Sequence, residues 1–207
     1  MMVLSFRSCL KLFPVLLLSA LALFAAGCGT SVERIEPTEV KDLSGAWNDT
    51  DSRLVSEEMI QDALARDWLP EFTRKHNKKP AVIVGEILNL SHEHINVNTF
   101  TDDMERALIN SGKVQFVASS GERGEIREER KDQDLNAAEA TRKPMGQERG
   151  ADYMLKGTIN TIIDTSGSKQ VRFYQVDLTL ISLADNVKVW VGQKKIKKFV
   201  KRGNLRY

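Results

Sequence analysis

Residues 171–191 read VRFYQVDLTLISLADNVKVWV, and this stretch decides the fold. Apolar and polar residues alternate from 176 to 180, which is typical of a half-buried strand. Asp185-Asn186 supplies a turn, and residues 187–191 predict a returning strand. The phase of the alternation slips near Tyr174-Gln175, which predicts a β-bulge at that point. The whole stretch therefore predicts an antiparallel hairpin.

The residues upstream extend this hairpin into a larger sheet. Residues 151–159 predict a further strand, and Ser166-Gly167-Ser168 supplies the turn that would join it to the hairpin as an antiparallel meander. Residues 80–88 (PAVIVGEIL) are a continuous β-branched run, which is typical of an inner strand covered on both faces. Residues 113–118 (KVQFVA) predict a shorter strand.

Helical patterns separate the upstream strands. The first helix is predicted to begin near Asp51 or Ser56, and Pro70 is expected to kink or end it. Its apolar residues, spaced mostly by four, predict one buried stripe. The stripe consists of Leu54, Ile60, Leu64, Trp68 and Phe72. A second helix is predicted with Thr101 as its N-cap and Gly112 just after its end.

The charged region that follows is less regular. Residues 121–134 are almost all charged and predict a solvated helix or a mobile loop. Asn136 and Glu139 form a capping-box pattern that predicts a helix running to Arg149. The order helix, strand, helix, strand, helix, then three strands indicates an α/β fold. We expect a small mixed sheet with a C-terminal antiparallel meander, flanked by helices, in one domain over residues 44–207.

The first 27 residues predict a signal peptide. Two basic residues precede an apolar run over 12–26, which is shorter than the ~20 residues that a membrane-spanning helix needs. The run ends in small residues before Cys28. This pattern resembles the lipobox of bacterial lipoproteins, in which the cysteine is acylated with fatty acids that include palmitate. The alternative is a plain signal peptide that leaves Cys28 as a free thiol. Glycine rather than aspartate follows Cys28. By resemblance to the sorting rules of enterobacterial lipoproteins, this residue implies that the lipoprotein is transported to the outer membrane.

Residues 28–43 are predicted to be the lipidated N-terminus and a short tether. About 15 residues reach ~50 Å when fully extended. The chain has 30 Lys and Arg against 28 Asp and Glu, and two of the basic residues, Arg7 and Lys11, lie in the signal peptide. The remainder is formally neutral, which disfavours nonspecific binding of nucleic acid. The two cysteines, Cys9 and Cys28, exclude a disulfide framework and a cysteine zinc site in the domain.

No motif in the sequence singles out an enzyme. It contains no Gly-rich phosphate loop, no GxSxG elbow and no HExxH. His92-Glu93-His94 could place two imidazoles on one face of a strand, but a third ligand is missing nearby. A solvent-facing strand end is the preferred interpretation. The sequence therefore predicts no catalytic residue, no metal site and no cofactor.

Three segments resemble the LpoB family of penicillin-binding protein activators. They are residues 104–119 (MERALINSGKVQFVAS), 141–159 (TRKPMGQERGADYMLKGTI) and 178–198 (LTLISLADNVKVWVGQKKIKK). The resemblance extends over about residues 47–198. It implies a domain similar to the N-terminal domain of TolB. In such a domain, Gly157 would lie on a strand at a position with no room for a side chain, and Trp190 would be a packed residue of the last strand.

The resemblance also implies a function. Members of the family are non-enzymatic outer-membrane lipoproteins on the periplasmic face. They bind a noncatalytic domain of a bifunctional penicillin-binding protein, and so regulate peptidoglycan synthesis and cell shape. The alternative is a lipoprotein accessory of envelope assembly, secretion or surface-appendage biogenesis. The sequence leaves the oligomeric state open.

The expected binding surface is the sheet and the basic tail after it. The tail from Lys194 is either merely solvated or contacts an acidic protein, anionic lipid or anionic wall polymer. Aromatic and basic residues that look exposed on or beside the sheet are the candidate partner-binding residues. They are Tyr153, Arg172, Tyr174, Lys194 and Lys195.

Overall fold

The computed structural model describes residues 31–201. The chain divides into two units, Met1–Glu39 and Val40–Tyr207. In the first unit, residues 31–39 contain a turn at Pro37-Thr38, where the Glu39 amide donates to the Glu36 carbonyl over 3.0 Å. The predicted signal peptide and Cys28 lie outside the described residues.

Two helices replace the single long helix predicted at the start of the domain. Helix α1 covers Asp49–Leu64 and helix α2 covers Trp68–His76. The N-cap of α1 is Asn48, earlier than predicted, and Asp51 is its capping-box partner. Pro70 lies in the first turn of α2, where the missing N–H would have no helical partner in any case, so it neither kinks nor ends a helix. Leu54 is exposed and does not belong to the buried stripe.

The next two helices also differ from the prediction at their ends. Helix α3 covers Val97–Asn110 with Asn96 as N-cap, so Thr101 lies inside it, and Gly112 takes the predicted left-handed conformation. Helix α4 covers Ser120–Asn136 and begins with a capping box between Ser119 and Glu122. The predicted helix from Asn136 to Arg149 is wrong, since residues 137–150 contain only turns and irregular backbone.

The strands form one five-stranded mixed sheet in the order β2-β1-β3-β4-β5. The sheet confirms the predicted α/β fold with a C-terminal meander, because β1 runs parallel to β2 and β3, whereas β3, β4 and β5 are antiparallel. The strand bounds are as follows: β1 is Ala81–Asn89, β2 Gln115–Phe116, β3 Tyr153–Ser166, β4 Lys169–Ser182 and β5 Lys188–Lys201. The predicted turns hold, with Gly167 and Asn186 at positive φ.

The bulge predicted near Tyr174-Gln175 is wrong. The register of β3, β4 and β5 is continuous there, and Tyr174 points to the same side of β4 as Val176. The register shifts instead opposite Trp190, where β5 holds one extra residue, and between Val84 and Ile87 in β1. The two irregularities therefore lie within β1 and near the start of β5, and not in the middle of β4.

The core lies between the sheet and helices α1 to α3. Helix α1 packs on α3 and β5, and α3 packs on β1. Trp190 is 5 % exposed, as predicted, and its Nε1 donates to Asp62 Oδ2 over 2.8 Å. A Cβ at Gly192 would clash with the Trp190 ring, and one at Gly157 would clash with Leu178 and the Asp177 carbonyl. Both glycines are thus required for close packing.

Candidate functional site

The five predicted binding residues do not form one surface. Side chains of a strand alternate between its two faces, and here one face of β3 to β5 is covered by the helices. Lys194 points toward this covered face and pairs with Glu58 of α1. Lys195 points the opposite way and is exposed. We call the side of β3, β4 and β5 that faces away from α1 and α3 the open face.

Tyr174 and Arg172 lie on the covered face, around one carboxylate. The Tyr174 hydroxyl donates to Glu93 Oε1 over 2.7 Å, and Arg172 Nη1 donates to the same oxygen over 2.9 Å. The Trp47 amide donates to Glu93 Oε2 over 3.0 Å. Tyr174 is 0 % exposed, so the expectation of an exposed tyrosine is wrong. Burial, together with the hydrogen bond to Glu93, raises the pKa of Tyr174 far above its usual value.

This arrangement also explains the His92-Glu93-His94 cluster. These residues follow β1 in a loop and are not on a strand. Glu93 anchors the loop to β4, and the His92 ring Nδ1 lies 3.0 Å from the Thr161 hydroxyl. Within residues 31–201, no three His, Cys, Asp or Glu side chains are grouped as metal ligands. The cluster therefore has a structural use, which is to close the end of the covered face.

Tyr153 lies at the base of a groove between α2 and the β4–β5 turn. Its ring makes edge contacts with Trp68 at 5.0 Å and with Phe72 at 5.6 Å between centroids. The groove holds about 490 Å³. Burial, followed by the charges of Asp152, Asp185 and Glu71, raises the pKa of the Tyr153 phenol. Tyr153 is half-buried, far along the strands from Lys195.

Lys198, whose side chain is 12 % exposed, anchors the segment that precedes α1. Its Nζ donates to Asp51 Oδ2 over 2.6 Å, to Asp42 Oδ1 over 2.7 Å and to the Ala46 carbonyl over 3.2 Å. Burial alone would lower the pKa of Lys198, but the hydrogen bonds to Asp42 and Asp51 outweigh it and raise the pKa. The hydrogen bond from Lys198 lowers the pKa of Asp42. Residues 42–48 are thereby strapped to β5.

The open face carries a surface that the sequence analysis found only in part. The basic–apolar patch, as we call it, consists of Ile162, Phe173, Lys195, Lys197, Phe199 and Lys201. Ile162, Phe173 and Lys197 are direct neighbours across the three strands. Ile162 is 65 % exposed and Phe199 is 64 % exposed.

The sequence signal for this patch is the alternation of inward and outward side chains along β5, counted from Trp190 toward the C-terminus. Because Trp190 points inward, Lys195, Lys197 and Phe199 must point outward along a regular strand. Of the five predicted residues, the structure places Lys195 alone in the patch. A partner-binding role for Tyr153, Arg172, Tyr174 and Lys194 remains a prediction, and three of these side chains already have polar partners within the domain.

Comparison with known proteins identifies the family. The model of the peptidoglycan-synthase activator LpoB matches residues 51–196. A search of curated proteins found no match. Within residues 31–201, no helix is both long and apolar enough to cross a bilayer.

Solved structures with a similar fold include domains of that family. The C-terminal domain of LpoB from Escherichia coli has 15 % identity and a TM-score of 0.44, and the one from Salmonella enterica has 14 % and 0.42. Each comparison covers 72 % of this chain and 99 % of the other. Lipoprotein GNA1162 from Neisseria meningitidis has 17 % identity and a TM-score of 0.38, covering 61 % of this chain and 88 % of its own. The family model, which spans α1 through most of β5, is decisive: this chain belongs to the LpoB family of peptidoglycan-synthase activators.

Proposed function

We propose that this chain is a non-enzymatic outer-membrane lipoprotein that binds and activates a bifunctional penicillin-binding protein. The observation that carries the proposal is the match of the activator family over residues 51–196. That range includes the helical layer and most of the meander, so the match rests on most of the folded domain and not on one motif alone. Activation regulates peptidoglycan synthesis and thereby cell shape.

Attachment to the membrane runs through Cys28. Acylation at this residue anchors the mature chain in the outer membrane, on its periplasmic side, and residues 28–43 act as the tether. Lys198 of β5 holds Asp42, so the chain is attached to the domain from residue 42 onward, near the end of the proposed tether.

The polar groups inside the domain have internal partners, and the proposed binding role needs none of them as a catalyst. Acid-base catalysis needs a group that is free to exchange a proton with a substrate. The carboxylates of half-buried Glu93 and buried Asp51 are held by internal donors. Among residues 31–201, no buried side-chain nitrogen or oxygen lacks a hydrogen-bond partner.

The test is stimulation of purified enzyme. The full chain, purified in detergent, is added to each bifunctional penicillin-binding protein of its own source, and glycan polymerisation and crosslinking are followed. We expect saturable binding and a faster rate for one synthase. An unacylated chain that begins at residue 29 is the matched control, and it should stimulate equally in solution because the domain is unchanged.

A negative result would favour the alternative role. If the full chain neither binds nor stimulates any of these synthases at micromolar concentration and low salt, the activator function is refuted. Crosslinking in intact cells then decides what replaces it. Recovery of pore or appendage components with the tagged lipoprotein would support an accessory of envelope assembly.

A further inference from the structure

The lysines of β5 separate into two functional classes by the face on which they lie. Lys194 and Lys198 point to the covered face, and each is paired with acidic groups of the domain. Lys195, Lys197 and Lys201 point to the open face and have no ion pair or hydrogen bond from their side chains within residues 31–201. The domain uses the first class for its own stability. The second class leaves three positive charges available to a ligand.

These free charges lie along β5, beside exposed apolar side chains of the same face. Ile162 and Phe199 are each about two-thirds exposed, and half-buried Phe173 lies between Ile162 and Lys197. Isolated exposed apolar residues are normal, but a contiguous group rimmed by charge is typical of an interaction surface. Since Phe199 contributes little to the core of this domain, we expect its burial to stabilise a complex.

The polar neighbours of the patch favour a protein over a lipid surface. Asp177 on the open face accepts hydrogen bonds from Gln175 and Gln193, both at 2.8 Å. Asp164 lies on the same face, in the row of Phe199. Fixed carboxylates would be repelled by anionic headgroups, whereas a folded partner can place donors opposite them. Lysines at the rim then guide an acidic partner to the surface.

We infer that the basic–apolar patch is the docking surface of this chain and that it receives an acidic protein surface carrying at least one apolar residue. The inference rests on the proposed function, because that partner is taken to be the bifunctional synthase. Phe199 and Ile162 form the centre of the contact. Lys195, Lys197 and Lys201 supply its electrostatic rim.

The experiment measures binding kinetics of the full chain, in detergent, to the purified synthase. The test variant is Lys195→Glu with Lys197→Glu. The control is Lys113→Glu with Lys188→Glu, which changes the net charge equally at exposed lysines outside the patch. We expect the test variant to slow association and raise Kd about tenfold or more at low salt, and the control to change Kd less than about twofold. The difference should nearly vanish in about 1 M salt, where the screening length is about 3 Å.

A second pair of variants tests the apolar centre. Phe199→Ser should raise Kd at both salt concentrations, mainly through faster dissociation, because it removes buried apolar area and no charge. Val191→Ser is the control, since Val191 is equally exposed on the same face but lies outside the patch. Unchanged urea midpoints would show that all four variants are folded.

The outcomes separate the two proposals. If the unaltered chain binds the synthase and the patch variants bind equally well, the patch is not the docking surface, while the activator function stands. If the unaltered chain binds no synthase, the function fails and the patch assignment fails with it. Vesicles of phosphatidylglycerol, mixed without detergent with the unacylated chain that begins at residue 29 and with its patch variants, provide the third arm, because an acyl anchor would bind any vesicle. If the patch variants lose sedimentation with these vesicles but keep synthase binding, the surface binds membrane, and the inference is overturned.

Discussion

Replacing Trp190 with alanine tests the packing of the last strand. A buried tryptophan removes roughly 150–250 Å² from water, which corresponds to about 4–6 kcal/mol as an upper estimate at ~25 cal/mol per Å². Trp190 also loses its hydrogen bond to Asp62, and Gly192 leaves no side chain to fill the resulting space. Measured costs of such truncations are about 3–5 kcal/mol, and we expect Trp190→Ala to fall in that range. Urea unfolding followed by far-UV circular dichroism measures the loss directly.

The adjacent residue provides the control for this prediction. Val191 is 63 % exposed on the open face, so Val191→Ala should cost less than about 0.5 kcal/mol. A domain of this size has a total stability of about 5–15 kcal/mol, so the two variants should be easily distinguished. A loss below about 1 kcal/mol for Trp190→Ala would refute the buried position. Equal losses for both variants would refute the assignment of faces on β5.

Three further predictions concern the Lys198 anchor and the lipid. Lys198→Met should destabilise the domain by about 3 kcal/mol because Asp51 keeps a buried charge, whereas Lys197→Met should change the urea midpoint very little. Asp42 has a lowered pKa, so its contribution to stability is present above the unfolded value of 3.8 and is lost as pH falls through the lower folded value. The urea midpoints of the unaltered chain and Asp42→Asn should therefore differ at neutral pH and converge in acid, below that folded value. Convergence at neutral pH would contradict the ion pair. Cys28→Ser should abolish acylation and release the protein from the outer-membrane fraction; continued sedimentation in detergent-free buffer would argue against the lipoprotein assignment.

The Lys198 anchor also affects the choice of fragments for experiments. A soluble fragment that begins at Leu43 would include α1 to α4 and β1 to β5 but would lose Asp42. Lys198 would then keep Asp51 and the Ala46 carbonyl as its only partners among the described residues. A fragment that begins at residue 31 keeps the complete anchor.

The sequence predicted correctly those features that depend on a few neighbouring residues. The turns at Gly167 and Asn186 follow from residues that accept positive φ, and the strands follow from short-range alternation. Helix starts were less certain because several capping patterns compete. The pair Ser119 and Glu122 forms the true capping box of α4, whereas the similar pair Asn136 and Glu139 does not start a helix. Pro144 lies within the stretch wrongly predicted as a helix, where its missing N–H disfavours that structure.

The role of each candidate side chain depended on partners far away in the chain. Tyr174 meets Glu93 across 81 residues, and Lys198 meets Asp51 across 147. Neither pairing has a local signature, so basic and aromatic residues of the meander looked equally available for binding. Glu93 itself was expected at a strand end that faces solvent. Its burial beside Arg172 is a property of the folded chain alone.

The sequence by itself determined the α/β class, the meander, the turns that join its strands and the inward position of Trp190, since these depend on periodicity and backbone preference over a few residues. The tertiary structure decided which lysines of β5 are free, because the period-2 alternation says which side chains share a face but not which face the helices cover. Only packing of α1 and the strap at residues 42–48 against β5 pairs Lys194 and Lys198 with acids. The same packing leaves Lys195, Lys197 and Phe199 exposed to solvent.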